Sequence, residues 1–286
     1  MLELILKILG YLIVFLSIIP LIRKDYWTFR VFEYPRLQKL IICLLIFVLY
    51  LILYGIPKRA DYIFLTVLLI NMGYLSYQVY PFTPFSSKKI LSSPVSDPES
   101  TISILISNVF QYNRNAAGCL NLYKSIDPDV ILLVETNAWW INELKELETR
   151  YPYTIKYPLE NTYGMALYSR LELTDSKVRF LVEPDIPSVR TTITLRSGRQ
   201  IRLYGLHPTP PVPDENPRST ERDKEILLVG REVRDGAMPV VVAGDLNDVA
   251  WSYTTDLLLK ISGLLDPRMG RGFFNTFHAG HPLVRF

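Results

Sequence analysis

Three long apolar runs fill the first third of this 286-residue chain and constrain what it can fold into more than any other feature. The runs are Leu2–Ile22, Leu40–Ile56 and Tyr62–Tyr80. Each spans, or nearly spans, the core of a bilayer, which needs about 20 apolar residues in a helix. The first run has a weak charged start and no small-residue cleavage site before Arg23, which indicates a retained anchor rather than a removed signal peptide. We therefore expect residues 1–80 to form three transmembrane helices.

The segments that flank these runs have compositions of their own. Residues 81–99 follow the third run and are rich in Pro, Ser and Lys, which predicts a linker without a core. Residues 100–286 then form a separate domain. Between the first two runs, aromatic residues interleave with cations: Trp27, Phe29, Arg30, Phe32, Tyr34, Arg36 and Lys39. This pattern suits a segment in the headgroup zone of a bilayer, and an ordinary juxtamembrane loop is an equal alternative.

Charge divides the chain near the same boundary. Residues 1–96 contain 10 Lys and Arg against 4 Asp and Glu, whereas residues 97–286 contain 21 against 24. The acidic balance of the second part disfavours a protein that holds long nucleic acid by its phosphates. Cations near the apolar runs are more numerous on the side that carries the domain, so the positive-inside rule predicts a cytoplasmic domain. Cys43 and Cys119 are too isolated to indicate a disulfide framework or a zinc knuckle.

The sequence M-P-V-V-V-A-G-D-L-N-D at residues 238–248 contains the strongest strand signal. Its short β-branched run, bounded by Pro239 and Gly244, predicts a buried strand. If extended backbone continued to Asn247, Asp245 and Asn247 would share one face at the exit of the strand, where they could hold a water or an oxyanion. The alternative is an Asx-type turn in which these side chains bond their own backbone.

From residue 101 onward, short strands alternate with amphipathic helices. We predict strands at Ile102–Ile106, Val130–Val134, Met165–Tyr168, Val189–Leu195, Ile201–Leu206 and 240–243. We predict helices at Ala116–Ile126, at 137–150 with Asn137 as the cap, at Ser219–Arg234 and at Trp251–Ile261. Four strands are followed by polar residues, namely Asn108, Glu135, His207, and Asp245 with Asn247. Because strand ends on one rim of a layered fold converge, we expect these side chains to meet.

The chemistry of these strand endings is that of metal-assisted hydrolysis. Glu135, with Asn108 beside it, offers the hard oxygen ligands that Mg²⁺ or Mn²⁺ prefers. His207 can donate to a phosphoryl oxygen or a leaving group, whereas Asp245 and Asn247 can position the attacking water. One polar residue after a strand is common, so the argument depends on the whole set.

Five motifs resemble the endonuclease/exonuclease/phosphatase superfamily in order and spacing: Ser107-Asn108, Asp127-Pro128-Asp129 with Glu135, Gly164 with Ser169-Arg170, Gly205-Leu206-His207, and Gly244-Asp245-Leu246-Asn247. The resemblance extends from about Thr101 to the C-terminus and looks closest to a bacterial branch with three N-terminal membrane segments. It implies a four-layer α/β sandwich behind a multi-pass anchor in the bacterial inner membrane. It also implies hydrolysis of phosphate esters with Mg²⁺ or Mn²⁺. The implied roles are Asn108 and Glu135 at the metal, His207 and Asn247 at the phosphate, and Asp245 at the nucleophile.

The sequence departs from the family pattern at its end. Family members finish with an Asp-His pair on a late strand and a Ser-Asp-His near the terminus, but this sequence stops at Phe286, where that strand should begin. We therefore expect the last strands of the sandwich to be missing and the chain as given to be catalytically silent. His278 and His281 precede the expected position, and we interpret them as structural or solvated rather than catalytic.

The leading functional hypothesis is a membrane-anchored, metal-dependent phosphoesterase that acts on a phosphate mono- or diester. A lipid-linked ester is favoured over DNA, because the domain is net acidic and is tethered at the bilayer. Two alternatives stay open. One is a non-catalytic membrane protein whose degenerate domain binds a ligand or partner, and the other is a membrane-tethered nuclease.

Overall fold

The computed structural model describes residues 1–56, 58–93 and 97–277 as a bundle of three long helices followed by a layered α/β domain. The expectation about His278 and His281 falls outside these residues. The long helices are α1 (Leu2–Ile18), α3 (Arg36–Tyr54) and α4 (Arg59–Val79), and a one-turn helix α2 (Trp27–Arg30) lies between the first two. With short 3-10 extensions, the apolar spans measure 21, 19 and 24 residues, each long enough to cross a membrane.

The three long helices share an apolar core and expose apolar outer faces. Tyr50, Phe64 and Leu68 lie fully buried at the centre of the bundle. Outward-facing side chains such as Ile52 and Ile70 are exposed, as a surface that contacts lipid tails requires. One lysine within the bundle forms an ion pair: Lys7 Nζ lies 2.8 Å from the carboxylate of Asp61. These features make the bundle suitable as a membrane anchor.

Two four-stranded sheets form the centre of the domain. The first has the order β1-β2-β4-β3, with β1 at Ile104–Asn108, β2 at Val130–Val134, β3 at Tyr153–Tyr157 and β4 at Met165–Ser169. The second has the order β5-β6-β7-β8, with β5 at Leu173–Arg179, β6 at Ser188–Thr194, β7 at Gln200–Leu206 and β8 at Val240–Gly244. The pairs β1–β2 and β7–β8 are parallel, and the other neighbours are antiparallel.

The sheets pack face to face, with helices on both outer surfaces. In β2, Val130, Leu132 and Val134 face the second sheet, whereas Ile131 and Leu133 face the helices, as the period of two requires. Helices α5 (Ala116–Ile126) and α6 (Ala138–Glu143) cover the first sheet, and α7 (Thr220–Asp235) covers the second, with α8 (Tyr253–Ser262) against α7. The expected fold class, a helical anchor before a four-layer α/β sandwich, is confirmed.

The structure differs from the sequence predictions in three elements. Strands β3 and β5 were not predicted, because both are edge strands with few buried apolar residues. The helix capped by Asn137 ends at Glu143 rather than near residue 150, and a 3-10 segment, Lys145–Thr149, follows it. The tighter 3-10 spacing turns both Leu144 and Leu147 into the core.

Candidate active site

The carboxyl ends of three strands bring an amide and two carboxylates together. Asn108 is the last residue of β1, Glu135 follows β2, and Asp245 follows β8. Asn108 Nδ2 donates to Glu135 Oε1 at 2.6 Å and lies 3.2 Å from Asp245 Oδ2. Since β1 and β2 belong to one sheet and β8 to the other, this contact joins the two sheets at one rim.

A close approach between β2 and β4 fixes the backbone beside Glu135. Glu135 has a φ of 62°, in the left-handed region that non-glycine residues rarely adopt. The next residue, Thr136, donates its amide to Gly164 O at 2.9 Å. A Cβ at Gly164 would lie 1.8 Å from Thr136 O, so only glycine permits this approach. The glycine of this motif therefore positions the carboxylate of Glu135.

The strand β8 ends at Gly244, and a turn begins at once. Asn247 has a φ of 49°, and its backbone N–H donates to Asp245 Oδ1 at 3.1 Å. Extended backbone does not continue to Asn247, so the Asx-type turn is the correct alternative for this segment. Asp245 Oδ2 still faces Asn108, so one carboxylate both closes the turn and contributes to the site. We call residues 245–247 the catalytic turn, because Asp245 is expected from the sequence to act on the nucleophile.

The loop after β1 holds the side chains of Asn108 and Glu135 through backbone hydrogen bonds. Phe110 N donates to Asn108 Oδ1 at 2.9 Å, and Gln111 N donates to Glu135 Oε2 at 3.2 Å. The Gln111 side chain is 2% exposed and bonds both Glu160 O and Thr162 N at 2.9 Å. The sequence analysis missed Gln111, because a glutamine in a loop carries no pattern that separates it from its neighbours.

His207 follows β7 and lies within the electrostatic reach of the same carboxylates. Its side chain is 3% exposed, and its ring centroid lies 5.2 Å from that of Tyr163. Burial lowers the pKa of His207 below its ordinary value, although the charges of Asp245 and Glu135 act in the opposite direction. Its Nδ1 has no hydrogen-bond partner among the residues that the structure describes. His207 thus brings to this rim a buried ring nitrogen that has no hydrogen-bond partner in the described part of the chain.

Asn247 connects the catalytic turn to the loop that carries His207. Its Nδ2 donates to Pro208 O at 2.9 Å, which leaves the second hydrogen of the amide for another acceptor. All five residues predicted from the sequence thus come to this rim of the sandwich: Asn108, Glu135, His207, Asp245 and Asn247.

The donor set at the centre of the site fits a hard divalent cation. Glu135 and Asp245 both accept hydrogen bonds from the Asn108 amide. Two negative carboxylates this close together favour the binding of a cation between them. Carboxylate and amide oxygens are the ligands that Mg²⁺ or Mn²⁺ prefers. Within residues 1–56, 58–93 and 97–277, no group of three His, Cys, Asp or Glu residues could hold a metal ion. The Asn108 amide lies beside both carboxylates and completes this candidate metal site.

Other motif residues lie at the opposite end of β2. Asp129 precedes this strand, accepts a hydrogen bond from Ser103 N at 2.8 Å and pairs with Arg196. Arg170 pairs with Asp127. These contacts fasten the starts of strands and take no part in the site.

The family model for the Endonuclease/Exonuclease/phosphatase family matches residues 105–285, which is more than half of the chain and includes all five site residues. The chain belongs to the endonuclease/exonuclease/phosphatase family. Members of this family are generally hydrolases that act on phosphate esters. No curated protein matches the chain significantly in sequence.

Several solved structures resemble the domain of this family member. D. rerio TDP2 complexed with single strand DNA product is 21% identical with a TM-score of 0.47, over 58% of this chain and 66% of that one. The human Nocturnin catalytic domain with bound sulfate anion is 18% identical with a TM-score of 0.46, over 56% and 70%. Beta toxin 275-280 from Staphylococcus aureus is 16% identical with a TM-score of 0.46, over 58% and 73%. These likenesses concern the fold alone.

Proposed function

We propose that this chain is a membrane-anchored, metal-dependent phosphoesterase that hydrolyses a phosphate mono- or diester. The observation that carries the proposal is the Asn108 amide, which lies between the carboxylates of Glu135 and Asp245 where the two sheets meet. His207, buried within electrostatic range of both carboxylates, adds a proton donor or acceptor. Family membership supports a hydrolase of this class.

Each site residue has a role that its surroundings support. Glu135 and Asn108 would hold the Mg²⁺ or Mn²⁺, which would supply positive charge beside the phosphoryl oxygens. Asp245 accepts a proton from the attacking water through the carboxylate that faces the centre of the site. His207 and the second amide hydrogen of Asn247 donate to phosphoryl oxygens.

A lipid-linked phosphate ester is the substrate class that we favour, with the bilayer as the partner of the anchor. The linker and the loop between α1 and α3 hold the domain beside three helices of membrane-spanning length. Next to Asn108, Phe110 and Tyr112 are 58% and 62% exposed, and their rings pack at 5.8 Å. Exposed aromatic side chains at a membrane-proximal site offer contact area for the apolar part of a lipid.

The test is hydrolysis in lipid nanodiscs by the 286-residue chain and by a chain extended by the family's last strands. We expect the 286-residue chain to be silent. The extended chain should show Mg²⁺-dependent turnover of bis-p-nitrophenyl phosphate and of a lipid pyrophosphate, and should lose both in Asp245→Asn. The matched control is Asp256→Asn, because Asp256 is exposed on α8. Mg²⁺ binding without turnover of any substrate would instead support a non-catalytic ligand-binding domain. Preferential cleavage of a single-stranded oligonucleotide would support a membrane-tethered nuclease.

A further inference from the structure

The segment that joins α1 to α3 packs directly against the domain. We call residues 23–35 the junction loop. Its backbone pairs with the segment before α7: Ser219 N donates to Asp25 O at 2.7 Å, and Trp27 N donates to Pro217 O at 2.8 Å. The carboxylate of Asp25 also accepts from Arg218 Nη1 at 2.9 Å. The junction loop is therefore fixed to the start of α7 by backbone and side-chain contacts together.

A buried arginine of the junction loop reaches further into the domain. Arg30 is 6% exposed, and its Nη2 donates to Asp223 Oδ2 at 2.8 Å. Its Nε donates to Ser219 Oγ at 3.1 Å. The other oxygen of Asp223 accepts from Arg222 Nε at 3.0 Å and from Arg222 Nη2 at 2.8 Å. Arg30 and Arg222 thus share one carboxylate, and each orients the other through it.

Arg222 carries this contact to the catalytic turn. It is 1% exposed, and its Nη1 donates to Asn247 O at 2.6 Å. Asn247 is the left-handed residue whose N–H holds Asp245 Oδ1. Asp248, the next residue, lies 3.5 Å from the same guanidinium. The sequence of contacts therefore runs from the anchor, through Asp223 and Arg222, to the carboxylate that faces the metal site.

Two further contacts join the end of the junction loop to the catalytic turn and to the segment that follows it. Tyr34 OH lies 3.5 Å from Asn247 O, and Trp251 Nε1 donates to Glu33 O at 2.8 Å. A residue in a strained conformation keeps it only when the surrounding structure imposes it. The junction loop and α7 provide those surroundings for Asn247.

We propose that the junction loop is a working part of the active site and that Arg30 is a positioning residue for the catalytic turn. Arg30 acts through Asp223 and Arg222. The proposal rests on the function proposed above for Asp245. Without the Arg30 cation, Asp223 loses a buried partner, Arg222 loses its orientation, and the turn moves. Hydrolysis then depends on the docked anchor, so the membrane segments do more than tether the domain.

The experiment compares variants of the extended chain, with its anchor, in nanodiscs. Arg30→Met removes the cation, Arg30→Lys keeps the charge but not the guanidinium, and Lys24→Met is the control because Lys24 is exposed in the same loop. Hydrogen exchange of residues 244–252 reports on the turn, and kcat and KM for bis-p-nitrophenyl phosphate report on catalysis. We expect Arg30→Met to raise exchange and to lower kcat by up to about 10²-fold, as small displacements at a reacting centre do, with KM little changed.

The control and the conservative variant complete the expected result. Lys24→Met should match the wild type in both measurements, and Arg30→Lys should recover part of the lost kcat. Arg30→Met and Asp223→Asn should not be additive, because both break the same contact. If Arg30→Met does not fold, Asp223→Asn replaces it, since it removes the charge of the carboxylate that Arg30 contacts.

The possible outcomes separate this proposal from the proposed function. Unchanged exchange of residues 244–252 in folded Arg30→Met or Asp223→Asn would overturn the positioning role. Raised exchange with unchanged kcat in an active chain would overturn it as well. If the extended wild-type chain hydrolyses no phosphate ester, the proposed function fails, and the exchange measurement alone decides whether the junction loop holds the turn.

Discussion

The carboxylate of Glu135 is held on both sides, by Asn108 Nδ2 at 2.6 Å and by Gln111 N at 3.2 Å. We expect Glu135→Gln to weaken Mg²⁺ binding, because the substitution removes one of two charges at the centre of the site. Replacing a residue that only supports a metal ligand typically lowers metal affinity by roughly 10–100-fold, so the loss of Mg²⁺ affinity should be at least that large. Calorimetry on the full chain measures it, and Glu143→Gln, at an exposed position on α6, is the control. Equal affinity in the two variants would remove Glu135 from the metal site.

Glu225 provides a pH-dependent prediction away from the candidate active site. Burial, reinforced by the charge of Glu183, raises the pKa of Glu225 from 4.5 to about 7, although Arg179 opposes the shift. The folded chain therefore holds a proton that the unfolded chain releases, so this residue makes stability fall as the pH rises from about 4.5 to about 7. At 1.36 kcal/mol for each pKa unit, the loss is on the order of 3 kcal/mol.

Glu225→Gln should remove this dependence, because glutamine has a similar volume and does not ionise. The melting temperatures of the wild type and the variant, measured between pH 5 and pH 8, should diverge as the pH rises, with the variant more stable at pH 8. The difference between the two curves cancels the titration of every other group. Parallel curves would show that the pKa of Glu225 is the same in the folded and unfolded chains, which would contradict the raised value.

The sequence predicted the central residues of the site because each one ends an apolar run. The apolar composition of three strands predicts that they are buried, and these strands end at or just before Asn108, Glu135 and Asp245. Parallel pairing then brings the ends of the strands to one rim. Arg222 could not be predicted in the same way. Its contact with Asn247 O depends on the packing of α7 beside the turn, and a charged helix of mixed sequence does not reveal which arginine is buried.

At the level of elements, the pairing of β7 with β8 depends on one glycine. Gly244 has a φ of 131°, and a Cβ there would lie 2.0 Å from Leu206 O. We expect Gly244→Ala to separate the two strands at the catalytic turn, to lower the melting temperature and to abolish turnover. Gly73→Ala is the control, because a Cβ at Gly73 meets no atom within 4 Å. A Gly244→Ala chain with normal stability would contradict the role of this close approach.

Elements with strong local signals were predicted to within a residue or two, and elements defined by their neighbours were not. Helix α5 was predicted at its observed bounds, since Asn115 caps its start and Asp127, with a φ of 55°, ends it before Pro128. Strand β5 has the sequence L-T-D-S-K-V-R, which shows no apolar alternation, and only its pairing with β6 makes it a strand. Local propensity does not predict a strand whose formation depends on pairing with another strand.

For the whole molecule, we expect the three helices to hold the protein in the membrane without help from the domain. Their apolar spans of 21, 19 and 24 residues are of bilayer length. A chain of residues 1–80 alone, expressed in bacteria, should stay in the membrane pellet after extraction with alkaline carbonate. Residues 100–286 expressed alone provide the comparison. Release of the 1–80 chain into the supernatant would rule out a transmembrane anchor.

The orientation of the domain is a second prediction at this scale. Arg30, Arg36 and Lys39 are buried and bind protein groups, so they should be left out of the charge count. The exposed cations that remain are Arg23, Lys24, Lys88 and Lys89 on the side of the domain, against Lys58 and Arg59 on the other. The positive-inside rule still predicts a cytoplasmic domain in a bacterial inner membrane.

Labelling with a membrane-impermeant maleimide tests this orientation. In a Cys119→Ser background, a reporter at Lys58→Cys should react in intact spheroplasts, whereas one at Lys88→Cys should react only after lysis. The background removes the half-buried natural thiol of the domain, and Cys43 is buried between the helices. The reverse pattern of labelling would place the domain outside the cytoplasm.

The contact between Arg30 and Asp223 has a consequence for biosynthesis. The two residues are separated by 193 positions in the chain. At a translation rate of about 5–20 residues per second, roughly 10–40 s pass between their synthesis. During this interval the anchor that we propose would already be at the membrane, and Glu33 would be the nearby carboxylate available to Arg30. The junction between anchor and domain is thus completed late, and an insertion machinery that shields this arginine would protect the nascent chain until α7 emerges.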